Sequence, residues 1–200
     1  MLLAKQLLED CRSYGSILRA WDGTRDLERA ANAPAQPGPL SAIDARKFAS
    51  SIYALVRTGR PITIYRFYET PNLQAPYGKQ HNSFTSGQVK NRVPAGMLGG
   101  WWSPHRPALT IDNLGYSDEH RKEDRAGIAV LKEWNRFDVC VEATLLPTAL
   151  IYVGRTARQA ENISFETDHG RTILYGGGAM QFLLVRGASH LNKLHEHHVR

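Results

Sequence analysis

Cysteine is scarce in this 200-residue chain: Cys11 and Cys140 stand far apart with no Cys-x-x-Cys pair, which argues against a disulfide framework and against a cysteine-based zinc site. Long apolar runs are absent as well. None approaches the roughly 18 residues that a membrane span needs, and Met1-Leu2-Leu3-Ala4 meets Lys5, Glu9 and Asp10 too soon for a signal peptide. The expectation is a soluble chain with no membrane partner and no address of its own. No run of about five basic residues occurs, so a nucleic-acid arm is not indicated, and no Ser/His/Asp or Cys/His triad can be recognised. What is present is 42 % apolar and 22 % charged residues, the composition of one folded domain with a single sizeable core rather than a disordered, collagen-like or coiled-coil chain. The balance of 25 Lys and Arg against 19 Asp and Glu leaves +6, a bias toward phosphates or nucleic acid.

Along the chain, Leu3, Leu7, Leu8, Cys11, Ile17, Leu18 and Trp21 are roughly helical in spacing but interrupted at Ser13-Tyr14-Gly15, which predicts two short helices. Ala31 to Pro39, with three prolines and a glycine in nine residues, reads as a connector. Ser41 with Asp44 three positions on resembles a capping box, and Phe48, Ile52, Leu55 and Val56 continue at helical spacing to Gly59, so a helix is expected there. From Ile62 the pattern alternates, with Ile62, Ile64, Arg66 and Tyr68 on one face of a strand. Residues 70–100 show no period and read as a long loop over a site. A charged amphipathic helix is expected over 118–137, then strands over 138–146, 149–156, 173–175 and 180–185, the last entered through Gly176-Gly177-Gly178. Helices gathered before strands that do not alternate with helices give an α+β domain: a helical part over 1–60, a β core over 62–186 and a polar tail over 187–200.

Three features carry chemistry. Arg66 shares a strand face with core positions, either as a strand-end residue reaching solvent or a carboxylate, or as a fork of donors aimed at an anion. Gly99-Gly100-Trp101-Trp102-Ser103 supplies either core anchors or the wall of a planar-ligand pocket with a small hydroxyl beside it. Gln181 opens an apolar strand in register with Leu183 and Val185, where its amide needs a partner. The glycines before it lack the spacing of a dinucleotide fingerprint and the lysine of a P-loop. Leu194-His195-Glu196-His197-His198 is taken as a frayed end rather than a metal site, Cys140 as a buried filler, and Glu142 as a strand carboxylate held in reserve.

Tyr65-Arg66 at a strand end, Trp-Trp-Ser-Pro about 35 residues on, a strand-Pro-strand segment ending Val153-Gly154, and Gly-Gly-Gly-Ala-Met-Gln, in that order over residues 62–186, resemble the ADP-ribosyltransferase superfamily. The likeness is greatest to toxin domains at the C-termini of secreted polymorphic effectors, including Rhs-type ones. The resemblance implies a split β-sheet core with N-terminal helices that binds NAD, consumed as a substrate, in a cleft between two sheets, with no metal. Within it, Arg66 holds the NAD phosphates, Tyr65, Trp102 and Tyr175 belong to the NAD-binding residues, Ser103 supports the nicotinamide ribose, and Gln181 stands at the position of the catalytic glutamate. It also implies action in the cytoplasm of a target cell, transfer of ADP-ribose to a protein or RNA acceptor, and a cognate immunity protein. The family's Ser-Thr-Ser element is reduced to one serine and its glutamate has become glutamine.

Breaking the nicotinamide–ribose bond develops oxocarbenium character, and hydrogen bonds to the ribose hydroxyls strengthen as it does. Gln181 can accept and donate such a bond but brings no full charge and cannot act as a general base. The position two residues earlier, acidic in members that modify arginine, is Ala179, so any acid for the acceptor must come from elsewhere or the acceptor must need less activation. Hydrolysis of NAD without transfer, and a non-catalytic basic RNA-binding module, stand as the alternatives.

Overall fold

Helix α1 (Leu2–Arg12) places Leu7 and Cys11 one turn apart on its buried face, with Arg12 at the C-terminal end where the helix dipole favours a cation. The computed structural model describes residues 2–35, 37–68, 100–106, 139–162, 172–185 and 190–198. After α1 the chain forms the hairpin β1 (Gly15–Asp22) and β2 (Arg25–Arg29), turned at Gly23, whose φ of +61° suits glycine. The second helix expected in this region is therefore a pair of strands, and Asp22-Gly23 is the hairpin signal that marks them.

The expected helix from Ser41 is also corrected. Its cap forms, with the Asp44 amide donating to Ser41 Oγ at 3.1 Å, but α2 spans only Ala42–Ala45 and a 3₁₀ turn occupies Ala49–Ser51. Ile52–Thr58 is strand β3. Tyr53, Ala54, Leu55 and Val56 are all buried because β3 is covered on both faces, and such a continuous apolar run carries no period that separates strand from helix. The N-terminal part is thus one helix, two short helical turns and three strands rather than helical.

The strands expected later form as β4 (Ile62–Tyr68), β6 (Val139–Leu145), β7 (Leu150–Arg155), β9 (Thr172–Tyr175) and β10 (Met180–Leu184). They are joined by β5 (Trp101–Trp102), β8 (Gln159–Asn162) and β11 (Leu191–His198). The last corrects the polar tail: its backbone pairs with β6, and sheet pairing asks only for backbone donors and acceptors, which a histidine-rich segment has like any other. The expected loop over 70–100 lies outside the described residues up to 99, and the expected helix over 118–137 lies wholly outside them.

Among the described residues all pairing is antiparallel, in sheets of order β2-β1-β3-β7-β10-β5, β11-β6-β4 and β8-β9. The protein is mixed α+β, dominated by antiparallel sheet. One core lies between α1, one face of the six-stranded sheet and the three-stranded sheet, and contains Leu7, Val56, Ile64, Trp102, Val141, Leu145, Val153 and Phe182. A second covers the opposite face of the six-stranded sheet, where Ala33, Leu40, Ala45 and Phe48 of the connector pack on Trp21, Tyr53, Leu55 and Tyr152. Two tyrosine hydroxyls fasten the connector. Tyr152 donates to the Gly38 carbonyl, and Tyr53 accepts from Leu40 N at 2.9 Å while donating to Gly23 O at 2.8 Å. The polar ends of buried rings thus meet backbone groups that a proline-rich segment cannot pair in a ladder. The satisfaction is incomplete, since Arg19 Nε and Trp21 Nε1 are buried without a hydrogen-bond partner among the described residues; the guanidinium pairs through Nη2 with Asp26 at 3.0 Å and lies 4.9 Å from the Trp21 ring centre.

Gly154 of β7 faces Phe48 so closely that a Cβ there would stand 2.4 Å from the ring and 3.0 Å from Ile52 O. Phe48 is 1 % exposed and has no room to swing away, so Gly154→Ala is expected to destabilise the protein by about 1–3 kcal/mol in a denaturant titration. Unchanged stability would mean that the connector does not seat on β7 as described. Burial, then Tyr53, push the Tyr152 hydroxyl up to about 12, against an opposing Arg19. A raised native pKa holds the proton on the native state, so this contribution is complete below the unfolded tyrosine value of about 10 and falls as pH rises toward 12. Unfolding free energy measured from pH 9 to 12 should fall less steeply in Tyr152→Phe than in the parent protein.

Candidate functional site

Edge strands β4 and β5 meet at one point, where Tyr65 N donates to Ser103 O at 2.7 Å and Ser103 N donates to Tyr65 O at 2.9 Å. This bridge joins the three-stranded sheet to the six-stranded one. Arg66, one residue on, is half-buried and donates from Nη1 to the Trp101 carbonyl at 3.0 Å. On the other side of β5, Phe182 pairs with Trp102 and Leu183 with Trp101, so Gln181 falls on the rung of Ser103. The expected Arg66, Trp102-Ser103 and Gln181 segments therefore converge on one seam.

Ser103 is buried, and its hydroxyl donates to the Met180 carbonyl at 3.2 Å while accepting from His105 N at 3.0 Å. Its one donor is thereby committed, so Ser103 acts on Gln181 by holding the backbone before it. Trp102 is 2 % exposed and packs in the first core. It backs the seam from within instead of lining a pocket, which corrects its expected place. Trp101, two residues from Ser103 along the strand, turns to the opposite face and is only half-buried there, next to Leu183 and Val185. Alternation from Ser103 is the sequence signal that points to it.

Gln181 shares that face, opposite Gly154 and so beside the Phe48 ring. It is half-buried, and its side-chain amide makes no hydrogen bond with any described residue. The Phe48 and Trp101 ring centres lie 5.4 Å apart, and Lys47 Nζ stands 4.7 Å from the Trp101 centre and 2.9 Å from Asp44 Oδ1. The Lys47 hydrogen bond holds the Asp44 carboxyl below the usual range, helped by Ser41 against partial burial. Arg66, in step with buried Ile62 and Ile64, lies on the core-facing side of its strand and reaches the seam from there. Tyr65 pairs with Glu142 on β6; burial first, then the Glu142 charge, raise the phenol pKa, and Arg106 opposes them. Tyr175 ends β9, paired with Gln159 in the separate two-stranded sheet, and its side chain lies outside the described residues.

The glycine turn is built to start β10 at one height. Gly177 has φ +66°, and a Cβ there would stand 2.6 Å from both the Thr156 and Ala157 carbonyl oxygens. Gly178 N donates to Thr156 O at 2.9 Å, and Arg155 Nη1 donates to Gly178 O at 2.9 Å while Nη2 pairs with Asp10 of α1. Asp10 and Arg155 are 145 residues apart, and no sequence spacing announces the pair.

No protein-family model, curated protein or solved structure matches this chain. The chemistry of the seam rests on its own residues. No cluster of three or more His, Cys, Asp or Glu side chains capable of holding a metal occurs among the described residues.

Gly177→Ala is expected to displace the start of β10, because both close atoms are backbone and cannot turn aside. A loss of more than about 1 kcal/mol should appear on unfolding. An equally stable variant would show that the turn is not locked. The Cys11 thiol is fully buried and pushed up to about 12, by burial and then by Asp10. Thiol reagents at pH 8 should therefore leave Cys11 unlabelled in the native protein and label it in denaturant, as read by peptide mass spectrometry.

Proposed function

We propose that this chain is a NAD-dependent mono-ADP-ribosyltransferase of the toxin type, with an ADP-ribosyltransferase-like split sheet, that cleaves the nicotinamide–ribose bond of NAD and transfers ADP-ribose to a macromolecular acceptor. The observation that carries the reading is the convergence of Tyr65-Arg66, Trp101–Ser103 and Met180-Gln181, three segments distant in sequence, on the Tyr65–Ser103 bridge between two sheets. A half-buried amide without a partner among the described residues, on the sheet face that also carries Phe48 and Trp101, suits a ribose hydroxyl and a planar ring.

In this reading NAD lies along the seam. Gln181 meets the hydroxyls of the nicotinamide ribose, and the bond gains strength as positive charge develops on the sugar. Ser103 and the Arg155–Gly178 contact keep Gln181 from shifting. Arg66 anchors the Trp101 carbonyl and supplies cationic charge from the core side of the seam. Catalysis then leans on positioning and on a leaving group that departs neutral. As a toxin domain it would act in the cytoplasm of a target cell and be held in check there by an immunity protein. The acceptor is a protein or an RNA, the latter favoured by the +6 charge.

Incubation with labelled NAD and a cell lysate should release nicotinamide and leave label on macromolecules. Release without label would assign a NAD glycohydrolase, which the lack of a carboxylate at Ala179 and Gln181 makes the second reading. Salt-sensitive RNA binding with no release would instead assign a non-catalytic module. Gln181→Ala should lower kcat about tenfold or more with little change in KM, the signature of a bond made in the transition state. Arg66→Ala should raise KM about tenfold, because it frees the Trp101 carbonyl that positions the seam and removes cationic charge beside it.

A further inference from the structure

The seam poses an electrostatic problem for a dinucleotide. Gln181 opens on the face of the six-stranded sheet that carries Trp101 and Phe48, whereas Arg66 rises from the opposite, core-side face. A diphosphate one methylene away from a ribose at Gln181 needs a positive group on the Gln181 face. The connector supplies one. The Lys47 backbone is fixed where Ala157 N donates to its carbonyl at 2.9 Å, next to the bridge between Phe48 and Thr156. Its ammonium is held 4.7 Å from the Trp101 ring centre, with one donor given to Asp44 at 2.9 Å. An ammonium has three donors, so this geometry holds the group in place while leaving others for a ligand. Trp101 and Gln181 are diagonal neighbours across β5 and β10, a separation of about 7–8 Å, on the scale of the step from a ribose to its phosphate.

Resting on the NAD reading above, we infer that Lys47, seated on Trp101, is the diphosphate-binding residue on the Gln181 face of the site. The chemical class follows from the donors. The Asp44 carboxylate offsets the ammonium's charge, but the N–H groups not given to Asp44 suit diphosphate oxygens, and the indole face taken by the ammonium is closed to a nicotinamide ring. The same contact explains why the connector folds back over the sheet at this end: Phe48 locks under Gly154, and the residue before it is delivered to the edge strand.

The test compares the parent protein with Lys47→Gln and Lys47→Arg, using calorimetric binding of ADP as the diphosphate probe beside nicotinamide release from NAD. Lys47→Gln should weaken ADP binding and raise KM for NAD about tenfold, with kcat within about twofold, and Lys47→Arg should restore most of both, since a guanidinium also stacks on indole and binds phosphate. Circular dichroism of each variant should match the parent. Unchanged ADP affinity and KM in a Lys47→Gln protein that still consumes NAD would overturn the inference while leaving the proposed activity standing. Lys47-dependent ADP binding by a parent protein that never releases nicotinamide would do the reverse, and a parent protein that neither binds ADP nor consumes NAD would sink both.

Discussion

Two backbone hydrogen bonds between Tyr65 and Ser103 are the hinge on which the rest of the architecture turns. They join the edge of the six-stranded sheet to the edge of the three-stranded one, so that a nearly continuous antiparallel surface folds round the core containing Ile64, Trp102, Val141 and Phe182. An edge strand with unpaired backbone groups is a liability that proteins cover or pair. Here β5 is two residues long and, among the described residues, β4 meets it at a single bridge; the shortness of that contact allows the sheets to diverge. Arg66 stands at the point of divergence and closes on the Trp101 carbonyl, supplying a strong donor where the ladder ends.

The seam is also over-determined from behind. Asp10 of the first helix, Arg155 at the end of β7 and the Gly178 carbonyl form a chain of charge-assisted contacts that fixes where β10 begins. These groups are partly exposed, so their contribution to stability is small, but they restrict position. On the opposite face the connector is held by ring burial, by the Tyr53 and Tyr152 hydroxyls, and by the space left at Gly154. Trp21, Phe48, Tyr53 and Tyr152 are all buried there. Phe48 and Tyr53 stack at 5.5 Å, Trp21 and Tyr53 at 5.3 Å, which ties the N-terminal hairpin, the connector and β3 into one layer.

How much of this was legible in the chain depends on what each segment buries. β4 alternates because one of its faces meets the core, and β6, β7 and β10 announced themselves by β-branched and aromatic residues between glycines and prolines. β3 was not legible as a strand, since burial on both faces erases the period, and Phe48 added a false helical spacing from a residue that packs on β7. β11 was hidden by its polarity, for the pairing uses backbone rather than apolar side chains. At the candidate site, Arg66, Ser103 and Gln181 were legible as chemistry out of place, whereas Trp102 rather than Trp101 enters the first core because strand register alone decides which of two adjacent indoles does so.

The sequence by itself determined a mixed α+β domain with most of its later strands, the seam's three motifs and the cap at Ser41, because each is written in local period, turn chemistry or side-chain type. Only the tertiary structure decided which faces those motifs share, that Ser103 spends its hydroxyl on Met180, and that Lys47 arrives beside Trp101 from a segment far upstream. The physical reason is that facing and proximity depend on inter-strand register and on the space at Gly154 and Gly177, contacts between residues far apart in the chain that no local pattern encodes.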